Sequence, residues 1–151
     1  MAFYGLSFQA TPAWNATATF TPAWDVVAAS TNRPAVVEIG VSQYAAPASA
    51  LTLAIGRSST ASVQLAPTAP IAEIPTDKAS VTSIATAWST APGLPVQYLR
   101  RTALSANAAG MGVIWTWRRG LVIPASGGLN VVFQAAAITL VPLMSHVVVN
   151  E

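Results

Sequence analysis

The feature that most narrows the folds open to this chain is a period of two in its side chains, interrupted repeatedly by proline and glycine. Between residues 14 and 20, Trp14, Ala16, Ala18 and Phe20 alternate with Asn15, Thr17 and Thr19. Successive side chains of a strand point to opposite faces, so this run has one apolar and one polar face, as a half-buried antiparallel strand does. Val37, Ile39 and Val41 alternate in the same way with Glu38, Gly40 and Ser42, and Leu51, Leu53 and Ile55 with Thr52, Ala54 and Gly56. Further strands are predicted over residues 62–65, 80–87, 96–103, 112–118, 129–134 and 146–149, with turn residues such as Pro34, Pro47, Pro92, Gly110, Pro124, Gly127, Gly128 and Pro142 between them. Many short strands between turn signals predict an all-β fold, an antiparallel β-sandwich or jelly roll.

Helix signals are weak by comparison. The alanine-rich stretch at 103–109 is short, lacks charged flanks and stops at Gly110, which suits a loop or a single turn. At 151 residues the chain is about one domain's worth. The expected organisation is an N-terminal arm with the first strand or strands over residues 1–24, followed by a single β-sandwich domain over 25–151. The proline-dense stretch from Pro67 to Pro75 reads as a long ordered loop; with Glu73, Asp77 and Lys78 close by, it is expected to face water.

Composition decides what the surface can do. Only 8% of residues are charged and 53% are hydrophobic, against about a quarter charged in an ordinary soluble domain. So few charges predict that other protein covers much of the surface. Seven basic and five acidic side chains leave a formal charge of +2, and the only basic clusters are the pairs Arg100–Arg101 and Arg118–Arg119. A phosphate-binding face needs more than that, so no nucleic acid partner is expected. Cysteine is absent, which removes disulfides and thiolate metal sites. The nearly uncharged stretch at 120–150 is broken by Pro124, Gly127, Gly128, Asn130, Gln134 and Pro142, so it contains no membrane-spanning helix. The first six residues lack the basic start and apolar run of a secretory signal, which points to synthesis in a cytoplasm.

Two aromatic motifs stand out. Thr11-Pro12-Ala13-Trp14 recurs as Thr21-Pro22-Ala23-Trp24. Either two similar strand starts send their tryptophans into the core, or an uncharged arm docks Trp14 and Trp24 on a neighbour. In Val113–Arg119, the alternation puts Val113, Trp115 and Trp117 on one face, with Ile114, Thr116 and Arg118 on the other. The paired tryptophans suit a core or a subunit interface, with a sugar-stacking platform as the alternative. Arg100 and Arg101 are expected on opposite sides of their strand, where exposed charge also discourages edge-to-edge aggregation.

Catalytic constellations are not evident. His146, the single histidine, sits in an apolar run without a carboxylate nearby in sequence, which reads as a core or interface residue. Asp25, Glu38, Glu73, Asp77 and Glu151 are too scattered to nominate a catalytic pair, and no His/Asp/Glu spacing indicates a metal site. No catalytic residue, cofactor or metal is therefore expected. Gly110-Met111-Gly112 and Gly127-Gly128 read as turns, and the sequon Asn15-Ala16-Thr17 as a chance match.

The C-terminal third, with Trp115-Thr116-Trp117, the turn-bearing run Arg119–Leu129 and the closing Val147-Val148-Val149-Asn150-Glu151, resembles small structural proteins of tailed bacteriophages. That resemblance implies a capsid decoration, or cement, protein: a β-rich unit, often a homotrimer, made in the host cytoplasm and seated on the virion's capsid surface. Its implied partners are its own copies and the major capsid protein. Trp14, Trp24, Trp115 and Trp117 are then the expected anchors, and Arg100, Arg101, Arg118 and Arg119 the expected contacts to acidic protein surface. A receptor- or carbohydrate-binding tip of a head or tail fibre is the alternative.

Overall fold

The computed structural model describes residues 2–10, 20–47, 49–135 and 142–151. Twelve strands follow one another: β1 (Phe3–Ala10), β2 (Thr21–Val27), β3 (Ala35–Gln43), β4 (Leu51–Arg57), β5 (Val63–Gln64), β6 (Ile71–Ala72), β7 (Ser83–Ala85), β8 (Trp88–Thr90), β9 (Tyr98–Leu104), β10 (Gly112–Val122), β11 (Gly128–Ala135) and β12 (Leu143–Asn150). No helix occurs among the described residues, and Asn107 turns the chain after β9 in a left-handed conformation (φ 58°).

Ten of the strands form two five-stranded antiparallel sheets, ordered β10-β3-β12-β1-β6 and β7-β2-β11-β4-β9. Setting aside the short strands β5–β8, the chain changes sheet at every step except from β4 to its neighbour β9. This is jelly-roll connectivity, and it confirms the expected β-sandwich. Between the sheets lies a core that includes Trp24, Val36, Ile39, Leu53, Ile55, Ile123, Leu129, Val131, Leu143, Val147 and Val149. Each such side chain, taken fully from water, contributes about 1.5–3 kcal/mol of transfer free energy.

The alternation read from sequence explains most of this packing. In β12, Leu143, Ser145, Val147 and Val149 are buried, while Met144, His146, Val148 and Asn150 face outward. In β4 the large residues Leu51, Leu53 and Ile55 point into the core, and the small Ala54 and Gly56 are also buried, on the outer side. The third case needs a correction. Val36, not Val37, joins Ile39 and Val41 in the core, because the β3–β12 register slips by one residue there and resets the faces.

The N-terminal division also changes. Phe3–Ala10 pairs along its whole length with β12, so these residues are a strand of the sandwich and not a detached arm. A boundary after residue 24 would cut through β2. Trp14, the sequon and all but Phe20 of the 14–20 alternation lie outside the described residues.

Candidate functional site

The two sheets differ in what covers their outer faces. Residues 58–97, between β4 and β9, form an insertion that carries the small β5–β8 sheet and spans the outside of the β2–β11–β4 sheet. Its principal anchor is Asp25 on β2, which has no exposed surface. The Asp25 carboxylate accepts hydrogen bonds from Ser62 Oγ, from Gln64 Nε2 at 2.9 Å and from Trp88 Nε1 at 2.9 Å. Ser83 Oγ in turn donates to Gln64 Oε1 at 2.6 Å. Buried ionised oxygen is tolerated only when such donors replace water, so this cluster locks the insertion in place. Nearby, Asn130 Nδ2 donates to the Gly93 carbonyl at 2.9 Å, and Pro95 fills the space above Gly56, where a Cβ would come within 2.5 Å of it.

The insertion then reaches around to the first sheet, where β6 pairs with β1 and the Tyr4 hydroxyl donates to the Lys78 carbonyl at 2.9 Å. Glu151 secures its return. Its carboxylate accepts from Ser80 Oγ at 2.7 Å, from the amides of Val81 and Thr82 at 3.0 Å each, and from Thr82 Oγ1. Partial burial works against the charge, but the hydroxyls of Thr82 and Ser80 and the two amides outweigh it and hold the Glu151 pKa below its ordinary 4.5.

Among the described residues nothing covers the outer face of the first sheet around His146. His146 on β12 lies over Gly40 on β3, its register partner, so closely that a Cβ at Gly40 would be 2.1 Å from the ring. Its Nε2 is 2.8 Å from Glu38 Oε1, and both side chains are about one-third exposed. Shallow depressions of about 260 and 320 Å³ flank the ring, one edged by Ile114 and Met144 and the other by Ile71. Ser7 on β1 faces His146 across the register. Around the ring the amides of β3 and β12 are committed to ladders on both sides, so none is free to stabilise an oxyanion. The arrangement orients a ring on an open, nearly uncharged face. The carboxylate partner that sequence proximity did not offer is supplied by strand pairing, from 108 residues away.

No family model, curated protein or solved structure matches this chain. Function must therefore be read from the chain's own surfaces.

The expected anchors divide sharply. Trp24 is fully buried, edge-to-face with Phe8 at 5.1 Å between ring centroids, and cannot dock on a neighbour. Its indole nitrogen has no hydrogen-bond partner among the described residues. Trp115 is only 7% exposed, and Trp117 packs half-buried against the same core. Both belong to the inward face of β10, so this pair forms neither a surface anchor nor an exposed sugar platform.

The arginines, by contrast, are exposed. Arg100 and Arg101 lie on β9, the edge of one sheet, and Arg118 and Arg119 on β10, the edge of the other; β9 and β10 touch, so all four occupy one side of the sandwich. The register explains the projection of the second pair: residues 117–120 of β10 stand opposite Val37 alone, and Gly120 closes this bulge at φ +72°. Arg101 stacks over the rings of Phe20 and Tyr98, at 5.1 and 5.8 Å, while Arg100 donates to the Leu99 carbonyl at 2.9 Å. Among the described residues no arginine is in an ion pair.

Proposed function

We propose that this chain is a virion structural protein, a capsid decoration protein that binds the assembled shell as an oligomer and stabilises it. The observation that carries the reading is the pairing of scarce charge with uncovered surface. Val96, Ile71, Tyr44 and Ile114 are 86, 71, 65 and 63% exposed in a chain with only 8% charged residues. Such surface fits a subunit whose neighbours complete its cover. A jelly roll hosts many functions, so the fold adds compatibility and not identity. The resemblance of residues 115–129 and 147–151 to phage structural proteins supplies the choice of assembly.

The mechanism is linkage. A subunit that binds the assembled shell, and not its separated parts, raises shell stability by its binding free energy, and several copies joined together turn weak contacts into firm attachment. The test adds purified protein to shells that lack it, then measures co-sedimentation and the temperature at which shells disassemble. Attachment with a higher disassembly temperature is expected; protein left in the supernatant with an unchanged temperature overturns the reading.

A further inference from the structure

Four of the seven basic side chains lie on the β9–β10 side of this sandwich, and two of the five acidic ones follow β6 at the other end of the first sheet; Glu38 lies on β3 beside β10, and Asp25 is buried on β2. Arg118 and Arg119 project from β10, at one end of the first sheet, and Arg100 and Arg101 lie on β9, the edge of the second sheet on the same side. Glu73 and Asp77 follow β6, at the other end of the first sheet. Glu73 is exposed and Asp77 half-buried, and neither is in an ion pair among the described residues. Lys78 offsets part of their charge, while Glu151 adds to it from the same side.

Four interstrand spacings separate the two edges, about 19 Å at about 4.8 Å each. No arginine side chain spans that gap, and the edges face away from each other. Within one molecule the two sets therefore cannot neutralise one another. Two basic edges brought together repel, which excludes a contact that pairs this edge with itself.

We propose that the basic β9–β10 edge of one copy docks on the acidic 73–77 edge of a second copy, giving a head-to-tail contact between identical chains. Such a heterologous contact closes into a ring when its rotation permits and otherwise propagates. The inference rests on reading the chain as an assembly subunit and names the surfaces it uses. β10 is suited to the role: it is 11 residues long, its outer edge has no strand partner among the described residues, and its bulge leaves Arg118 and Arg119 exposed.

The test is mass in solution, by light scattering, for four forms of the full chain: wild type, R100E/R101E/R118E/R119E, E73K/D77K and the combination of all six changes. Wild type is expected as an oligomer, each one-edge variant as a monomer, and the combined variant as an oligomer again, because its two edges then carry opposite charge with the signs exchanged. Raised salt should dissociate wild type and combined variant alike. R118Q/R119Q, which removes charge without reversing it, should show an intermediate loss and guards against misfolding of the reversed form; circular dichroism confirms the fold of each. A monomeric wild type overturns the inference, as do one-edge variants that keep the oligomer mass or a folded combined variant that stays monomeric. If the mass pattern holds but shells do not bind the protein, the decoration reading fails alone; if shells bind it while charge reversal leaves the mass unchanged, this inference fails alone.

Discussion

The outer faces of the two sheets have the same kind of strand beneath them and opposite fates. One is roofed by residues 58–97, pinned to a fully buried carboxylate at Asp25. The other carries the open His146–Glu38 pair between shallow depressions. The difference lies in where polar groups find partners. Under the roof, Ser62, Gln64 and Trp88 replace the water that Asp25 loses. On the bare face, water still reaches both members of the pair, so their contact adds little to stability. The chain concentrates its polar bonding where it must fasten an insertion, and leaves the opposite face smooth.

Breaking the roof should produce the largest effect. Asp25→Ala strands three partly buried donors at once, and we expect a loss of about 3 kcal/mol in urea unfolding, with residues 58–97 becoming accessible to protease before the rest. An unchanged midpoint would show that the roof is held mainly by packing.

The second fastening is pH-dependent. Because the folded pKa of Glu151 is the lowered one, its stabilisation is complete above the ordinary value of 4.5 and disappears as pH falls through the folded value. Hydrogen exchange at Val81 and Thr82 should accelerate over that acid range. Glu151→Gln should show faster exchange at neutral pH, a loss of about 1–2 kcal/mol and a flatter acid dependence. Equal pH dependence in both proteins would remove Glu151 from the fastening.

On the bare face the effects should be smallest, and their coupling should be the informative quantity. Gly40→Ala puts a methyl where the His146 ring lies and should cost about 1 kcal/mol by displacing it. His146→Ala should cost about 0.5 kcal/mol or less, since the pair is partly exposed. Combined, the two should cost less than their sum, because the methyl then has room. Additive effects would mean that the ring does not rest on Gly40.

Sequence made the strands legible and left their partners hidden. β4, β9, β10, β11 and β12 all overlap strand runs predicted from sequence, and in β10 and β12, with one face toward the core, burial recurs every second residue along much of the strand; β9 and β11 show no such period. β6 and β8, at two and three residues, are too short to show a period. The tryptophans were recognisable as large apolar groups, but core and interface call for the same residue type. Trp24 and Trp115 went to the core because β2 and β10 face it with those positions. Asp25 offered one clue: it is the lone charge in the apolar run Pro22–Ala29, where only a buried set of donors can hold a carboxylate.

The sequence by itself determined that this is a β-sandwich with little charge on its surface, because alternation, turn residues and composition act locally and need no knowledge of distant neighbours. Only the tertiary structure decided that Glu38 meets His146, that Asp25 holds the insertion, and that four arginines from two separate strands share one side of the molecule. Strand order in a sandwich is set by pairings across the length of the chain. The groupings it creates are therefore written in no single stretch of residues.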